Sequence, residues 1–180
     1  AAIRGAKAQA NGLDEWRNWP VIGDTHGLGI TATGLEAKLR ENGAASVDSD
    51  VYPRQSISDV NDRIKSKNFD GRCVIVEAGT GNLANDDGRA KESINRLLST
   101  LSGAKKVYWV TPLASPSAGS EWDTENFLKV LNETQASNLD IIDIQGLANR
   151  PELFDQTGVT MTQAGYQERI NMILGGIRAD

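Results

Sequence analysis

The chain predicts a single α/β domain whose central sheet is parallel and covered by helices on both faces. Three observations predict it. Strand-length apolar runs alternate with helix-spaced apolar stripes from Pro20 to Ile177. The strongest run, Cys73-Val74-Ile75-Val76, is continuously apolar, as a strand buried on both faces requires. The length, 180 residues, fits one ordinary domain, and such a domain buries roughly 70% of its unfolded-chain surface without staples.

The elements follow in order. Ala1 to Trp19 is polar and punctuated by glycine and asparagine, and it reads as an arm or loose first helix, with the domain body spanning 20–180. Trp16 and Trp19 read as surface clamps holding that arm, with a stacking platform for a sugar or base as the other reading. Pro20 to Gly23 is the first strand. Leu35 to Glu41 is helical and stops at Asn42-Gly43. Ala45 to Val51 holds a second strand, and Ile57 to Lys67 is a helix with its apolar stripe at 57, 60 and 64. After the Cys73 strand come a helix over Ala90 to Leu101, a strand over Lys106 to Thr111 and a helix over Trp122 to Gln135. A strand over Leu139 to Ile144 precedes a closing helix, Gln163 to Ile177, striped by Tyr166, Ile170, Ile173, Leu174 and Ile177.

Composition excludes several function classes. With 19 basic and 24 acidic side chains the net charge is −5, so a phosphate-binding groove is not the main business and no nucleic-acid partner is expected. One cysteine, Cys73, excludes an internal disulfide framework and reads as a small core residue. One histidine, His26, excludes any site needing two imidazoles. No apolar stretch of about 18 residues exists, so no membrane insertion is expected. The chain starts at Ala1 without methionine, which reads as a processed or cut product.

In a parallel α/β sheet the loops leaving the carboxyl ends of the strands gather along one edge and hold the ligand. Those loops are Gly23 to Gly29, Tyr52 to Ser56, Gly79 to Asp87, Thr111 to Gly119 and Phe154 to Thr162. Gly79-Thr80-Gly81 is not a phosphate loop, because no Gly-Lys-Ser/Thr follows. Asn82, Asn85, Asp86 and Asp87 form a polar loop whose spacing fits no calcium site. Asp86 or Asp87 reads instead as a cap for the next helix. Gly23-Asp24-Thr25-His26-Gly27 has the Asp-x-His look of a two-metal phosphoesterase, but the further histidines that site needs are missing. No metal and no cofactor is expected.

The same segment opens a fuller match. Val21-Ile22-Gly23-Asp24-Thr25-His26 looks like a Gly-Asp-Ser block, and Val47-Asp48 with Arg54-Gln55 looks like Val-Asp-Ala followed by Gly-Arg-Gln. Val74 to Thr80 looks like the approach to Gly-Thr-Asn, and Trp122 with Asn126 looks like the Trp and Asn of the next helix. Gly158-Val159-Thr160-Met161-Thr162 with Gly165-Tyr166 looks like Asp-Gly-Val-His-Leu-Thr and its later Gly-Tyr. In this order the blocks resemble the SGNH/GDSL hydrolase superfamily. The nearest look is the SGNH domain of peptidoglycan and polysaccharide O-acetyltransferases. The resemblance implies a flavodoxin-like three-layer α/β/α sandwich with about five parallel strands. The sequence itself names no compartment, and an extracellular, cell-envelope or virion-associated setting is favoured over a cytoplasmic one.

The resemblance further implies a Ser nucleophile, a His base, an orienting Asp, and an oxyanion hole built from a Gly N–H and an Asn side chain. This sequence carries Thr25, Thr160, Thr157, Pro53 and Gly81 at those five positions. Thr25 keeps a hydroxyl with an added methyl that crowds it. Thr160 accepts no proton, Thr157 has no carboxylate, Pro53 has no N–H and Gly81 has no side chain. The expected function is therefore non-catalytic: glycan binding at the former cleft, or a structural role in an envelope, secreted or virus-particle assembly. Asp24, Thr25, His26, Arg54, Asn82 and Asn85 are the candidate binding residues, with a glycan or an assembly protein as partner. The rival reading is an atypical carbohydrate-ester hydrolase or O-acyltransferase. In it Thr25 attacks, Asn82 replaces the lost oxyanion donor, and His26 or a partner subunit supplies the base. A broad apolar patch would favour assembly, and an exposed tryptophan beside the cleft would favour carbohydrate.

Overall fold

The computed structural model describes residues 18–83 and 88–179. The readings that fall on Trp16, Asn85, Asp86 and Asp87 lie outside these residues. Five strands alternate with seven helices: β1 (Asn18–Gly23), α1 (Thr25–Thr33), α2 (Leu35–Glu41), β2 (Ser46–Val51), α3 (Ile57–Ile64), β3 (Cys73–Glu77), α4 (Thr80–Leu83), α5 (Ala90–Thr100), β4 (Lys106–Val110), α6 (Thr124–Glu133), β5 (Leu139–Ile142) and α7 (Gln163–Ala179). The strands form one parallel sheet in the order β2-β1-β3-β4-β5. Strand alternation splits the core into two layers. Val21, Ile75 and Tyr108 face the layer closed by Ile30, Leu35 and the α7 stripe. Ile22, Val74, Val76 and Trp109 face the layer closed by α3, α5 and α6. The result is the three-layer sandwich.

This strand order places the topological switch between β1 and β3, where chains leave in opposite directions and open a crevice. Gly23 lets the two strands end close together, since a Cβ there would lie 2.2 Å from the Glu77 carbonyl oxygen. The Asp24 N–H donates to that same oxygen at 2.9 Å.

Three features depart from the sequence expectation. Residues 25–33 form a helix rather than a loop. Asp24 caps it, its Oδ1 accepting from the His26 N–H at 3.0 Å, and Gly34 ends it at φ 115°. Gly27 and Gly29 hide the helix from propensity, yet they let it approach the body: a Cβ on Gly29 would lie 2.2 Å from the Tyr166 ring. Gly29→Ala is therefore expected to cost about 1–3 kcal/mol by overpacking, read as a lower urea midpoint. Trp19 is not a surface clamp. It sits in β1 with no exposed surface, its ring centroid 6.1 Å from that of Tyr108. Finally, α3 ends at Ile64 rather than Lys67, and a four-residue helix, α4, follows β3.

Candidate functional site

A cleft of about 770 Å³ opens at the β1/β3 switch point. All five positions that the family resemblance marks for chemistry line it: Thr25, Pro53, Gly81, Thr157 and Thr160. Asp24, His26, Arg54 and Trp122 line it as well. Asn82 does not. Its Oδ1 accepts from the Ile57 N–H at 3.0 Å, capping α3 from outside the cleft.

Each wall has a local cause. Thr25 is the first residue of α1, and its Oγ1 accepts from the Arg54 N–H at 2.9 Å. Arg54 sits at φ 59°, the one non-glycine residue of positive φ among those described. The loop before it is held by Arg63, whose guanidinium lies 4.6 Å from the Tyr52 ring centroid, donates to Gln55 Oε1 at 2.5 Å and pairs with Asp50. Ser56 and Asp59 form a reciprocal capping box that starts α3. Gly81 packs against this loop so closely that a Cβ would lie 2.8 Å from the Gln55 carbonyl oxygen. The fold therefore closes the position from which an asparagine side chain would reach an oxyanion.

On the opposite wall, Asp155 takes over both threonines. Its Oδ1 accepts from the N–H of Thr157 at 2.8 Å and from the Thr157 hydroxyl, and its Oδ2 accepts from the Thr160 hydroxyl. Burial is the largest single influence and raises this carboxyl, but the two hydroxyls and the Thr157 N–H together outweigh it and hold the pKa below 3.8. The two threonine oxygens stand 3.4 Å apart. A Thr-Thr-Asp network thus fills the place where the resemblance implies an imidazole and its carboxylate.

Beneath the cleft lies a cluster that the sequence reading missed. Arg169 of α7 donates to Glu77 of β3 at 2.9 Å, with both side chains about 1% exposed or less. Asp24 and His26 are buried beside them. Burial pushes the Glu77 carboxyl up to about 7, against Arg169 and helped by the Asp24 charge. Burial likewise pushes Asp24 up to about 6. Burial and then Arg169 hold His26 well below 6.5, so it is neutral at pH 7. Its Nδ1 lies 3.4 Å from the Tyr166 hydroxyl. Its Nε2, Asp24 Oδ2 and Glu77 Oε1 are buried without a hydrogen-bond partner. The signal for this cluster was an arginine inside the α7 apolar stripe and a glutamate closing a buried strand, but spacing alone does not pair them.

These contacts decide what the cleft can do. The Thr25 hydroxyl accepts one hydrogen bond and faces no base among the described residues, His26 included. Among the described residues no three His, Cys, Asp or Glu side chains are placed to hold a metal ion. No helix there is long and apolar enough to cross a membrane.

No protein-family model matches the sequence, and no curated protein matches it either. Solved structures do match the fold. A lipase/acylhydrolase from Enterococcus faecalis superposes with a TM-score of 0.73 at 18% identity, covering 91% of this chain and 96% of that one. The C-terminal catalytic domain of peptidoglycan O-acetyltransferase A from Streptococcus pneumoniae gives 0.72 at 17% identity, covering 91% and 93%. An acetyl xylan esterase from Geobacillus stearothermophilus gives 0.66 at 14% identity, covering 89% and 94%. With its strand order, its switch-point cleft and these neighbours, the chain has the fold of the SGNH/GDSL hydrolases.

Proposed function

We propose that this domain has lost ester chemistry and binds carbohydrate in the former active-site cleft. The observation that carries the reading is the lining itself. A half-buried tryptophan, Trp122, shares one cavity with Thr25, Thr157 and Thr160, and among the described residues no base is hydrogen-bonded to Thr25. An indole face beside polar hydroxyl-bearing walls matches the apolar ring faces and polar rims of sugars. The buried, partnerless Asp24 Oδ2 and His26 Nε2 belong to side chains that line the same cavity. Two structural neighbours support the class of ligand, one a peptidoglycan O-acetyltransferase domain and the other an acetyl xylan esterase. Among the described residues the exposed large hydrophobics are Leu28 and Tyr52 alone, which is not the broad apolar patch that an assembly surface needs.

Calorimetric titration with xylohexaose, an N-acetylglucosamine hexamer and a soluble peptidoglycan fragment tests the reading. At least one is expected to bind, and Trp122→Ala is expected to weaken that binding about tenfold. Saturable binding that is indifferent to Trp122→Ala, or no binding to any of the three or to any acidic glycan, would contradict it.

A further inference from the structure

Among the described residues that line the cleft, Arg54 alone has a positive side chain, since His26 is neutral. Its guanidinium forms no ion pair with any described residue, while the neighbouring Arg63 is fully engaged with Asp50, Gln55 and the Gly23 carbonyl. Neither carboxylate on the lining pairs with Arg54. Asp59 Oδ2 accepts from the Ser56 N–H at 2.9 Å and the Ser56 hydroxyl at 2.8 Å, and Asp24 is buried under α1, which it caps. Arg54 also occupies a backbone conformation that suits glycine or asparagine better than arginine. A planar fork of donors with no ion-pair partner among the described residues, on an exposed residue that lines the cavity of an acidic chain, suits a carboxylate in bidentate fashion.

We infer that the ligand is an acidic carbohydrate, a uronate-bearing glycan whose carboxylate pairs with Arg54. The inference rests on the carbohydrate reading of the cleft and deepens it. The sugar ring lies against Trp122, the ring hydroxyls meet Thr25, Thr157 and Thr160, and the carboxylate takes the guanidinium. Binding then has a charge-assisted part that weakens as salt rises, and a stacking part that does not.

The test uses oligomers of galacturonate, of alginate and of hyaluronan, each beside its own carboxyl-methyl ester, so that each pair differs in charge alone. At least one acid is expected to bind ten times more tightly than its ester at low salt, with the gap shrinking in 0.5 M salt. Arg54→Gln is expected to bring acid binding down to the level of the ester. Arg54→Asn, at ease in the left-handed region, removes the guanidinium while suiting the loop, and an unchanged melting temperature in that variant shows the fold intact. Equal binding of acid and ester by the parent overturns the inference and leaves the carbohydrate reading standing. So does an acid preference that survives both Arg54 variants. Failure of every acid and ester, together with the three glycans above, overturns both.

Discussion

Replacing Arg169 by methionine is expected to destabilise the fold by about 3–5 kcal/mol, the cost of stripping one partner from a buried ion pair. Methionine keeps most of the volume, so the loss isolates the charge. In the parent Arg169 faces Glu77 directly and acts on Asp24 through space. Without it two buried carboxyl groups remain and no cation offsets them. The penalty is expected to be larger at pH 8 than at pH 5, because protonation relieves it. Urea denaturation at both pH values reads the effect, and a loss under 1 kcal/mol at pH 8 would show that the cluster does not hold β3 to α7.

The parent itself is expected to lose stability as pH rises from about 4 to about 8, by an amount on the order of 3 kcal/mol. The sign follows from burial. Asp24 moves from 3.8 up to about 6 and Glu77 from 4.5 up to about 7 in the folded chain. Between the unfolded and folded values the folded state holds protons that the unfolded state releases, so unfolding gains as pH rises through the folded values. The two groups share one arginine and repel each other, so the effect of one group is the fair magnitude. Asp24→Asn keeps a good helix cap, because asparagine caps as well as aspartate. It removes one buried charge, and it is expected to flatten the slope between about pH 4 and about pH 6. A slope unchanged in Asp24→Asn would remove Asp24 from the titrating pair.

Much of the architecture was legible because strand burial writes itself as composition. The Cys73 run could only be a central strand, and it pairs with β1 on one side and β4 on the other. α1 was not legible. Its two glycines are poor helix formers, and the helix stands because Asp24 caps it and because those glycines let it pack against Tyr166 and Val51. Trp19 misled for a different reason: a tryptophan beside a polar segment looks like a clamp, and only the sheet register shows that it is the inward residue of an edge-adjacent strand.

The site was legible at the positions where a backbone motif recurs, since Thr25, Pro53, Gly81, Thr157 and Thr160 stand on one cavity. The partners were not. Asp155 had no task without a histidine to orient, yet it gathers two threonine hydroxyls. Asn82 looked one residue from an oxyanion hole, yet the α4 turn aims it at the α3 N-terminus. The Glu77–Arg169 pair joins residues 92 apart in the chain, a distance across which periodicity carries no information.

The central claim is that Thr25 has lost its chemistry. Hydrolysis of p-nitrophenyl acetate and its longer acyl homologues, by the parent beside Thr25→Ala, tests it most directly. The account predicts that the two proteins match each other and the background, because among the described residues no base is hydrogen-bonded to the hydroxyl and Gly81 has no side chain to donate to an oxyanion. A parent clearly faster than Thr25→Ala would contradict it, and would mean that a base outside the described contacts serves Thr25.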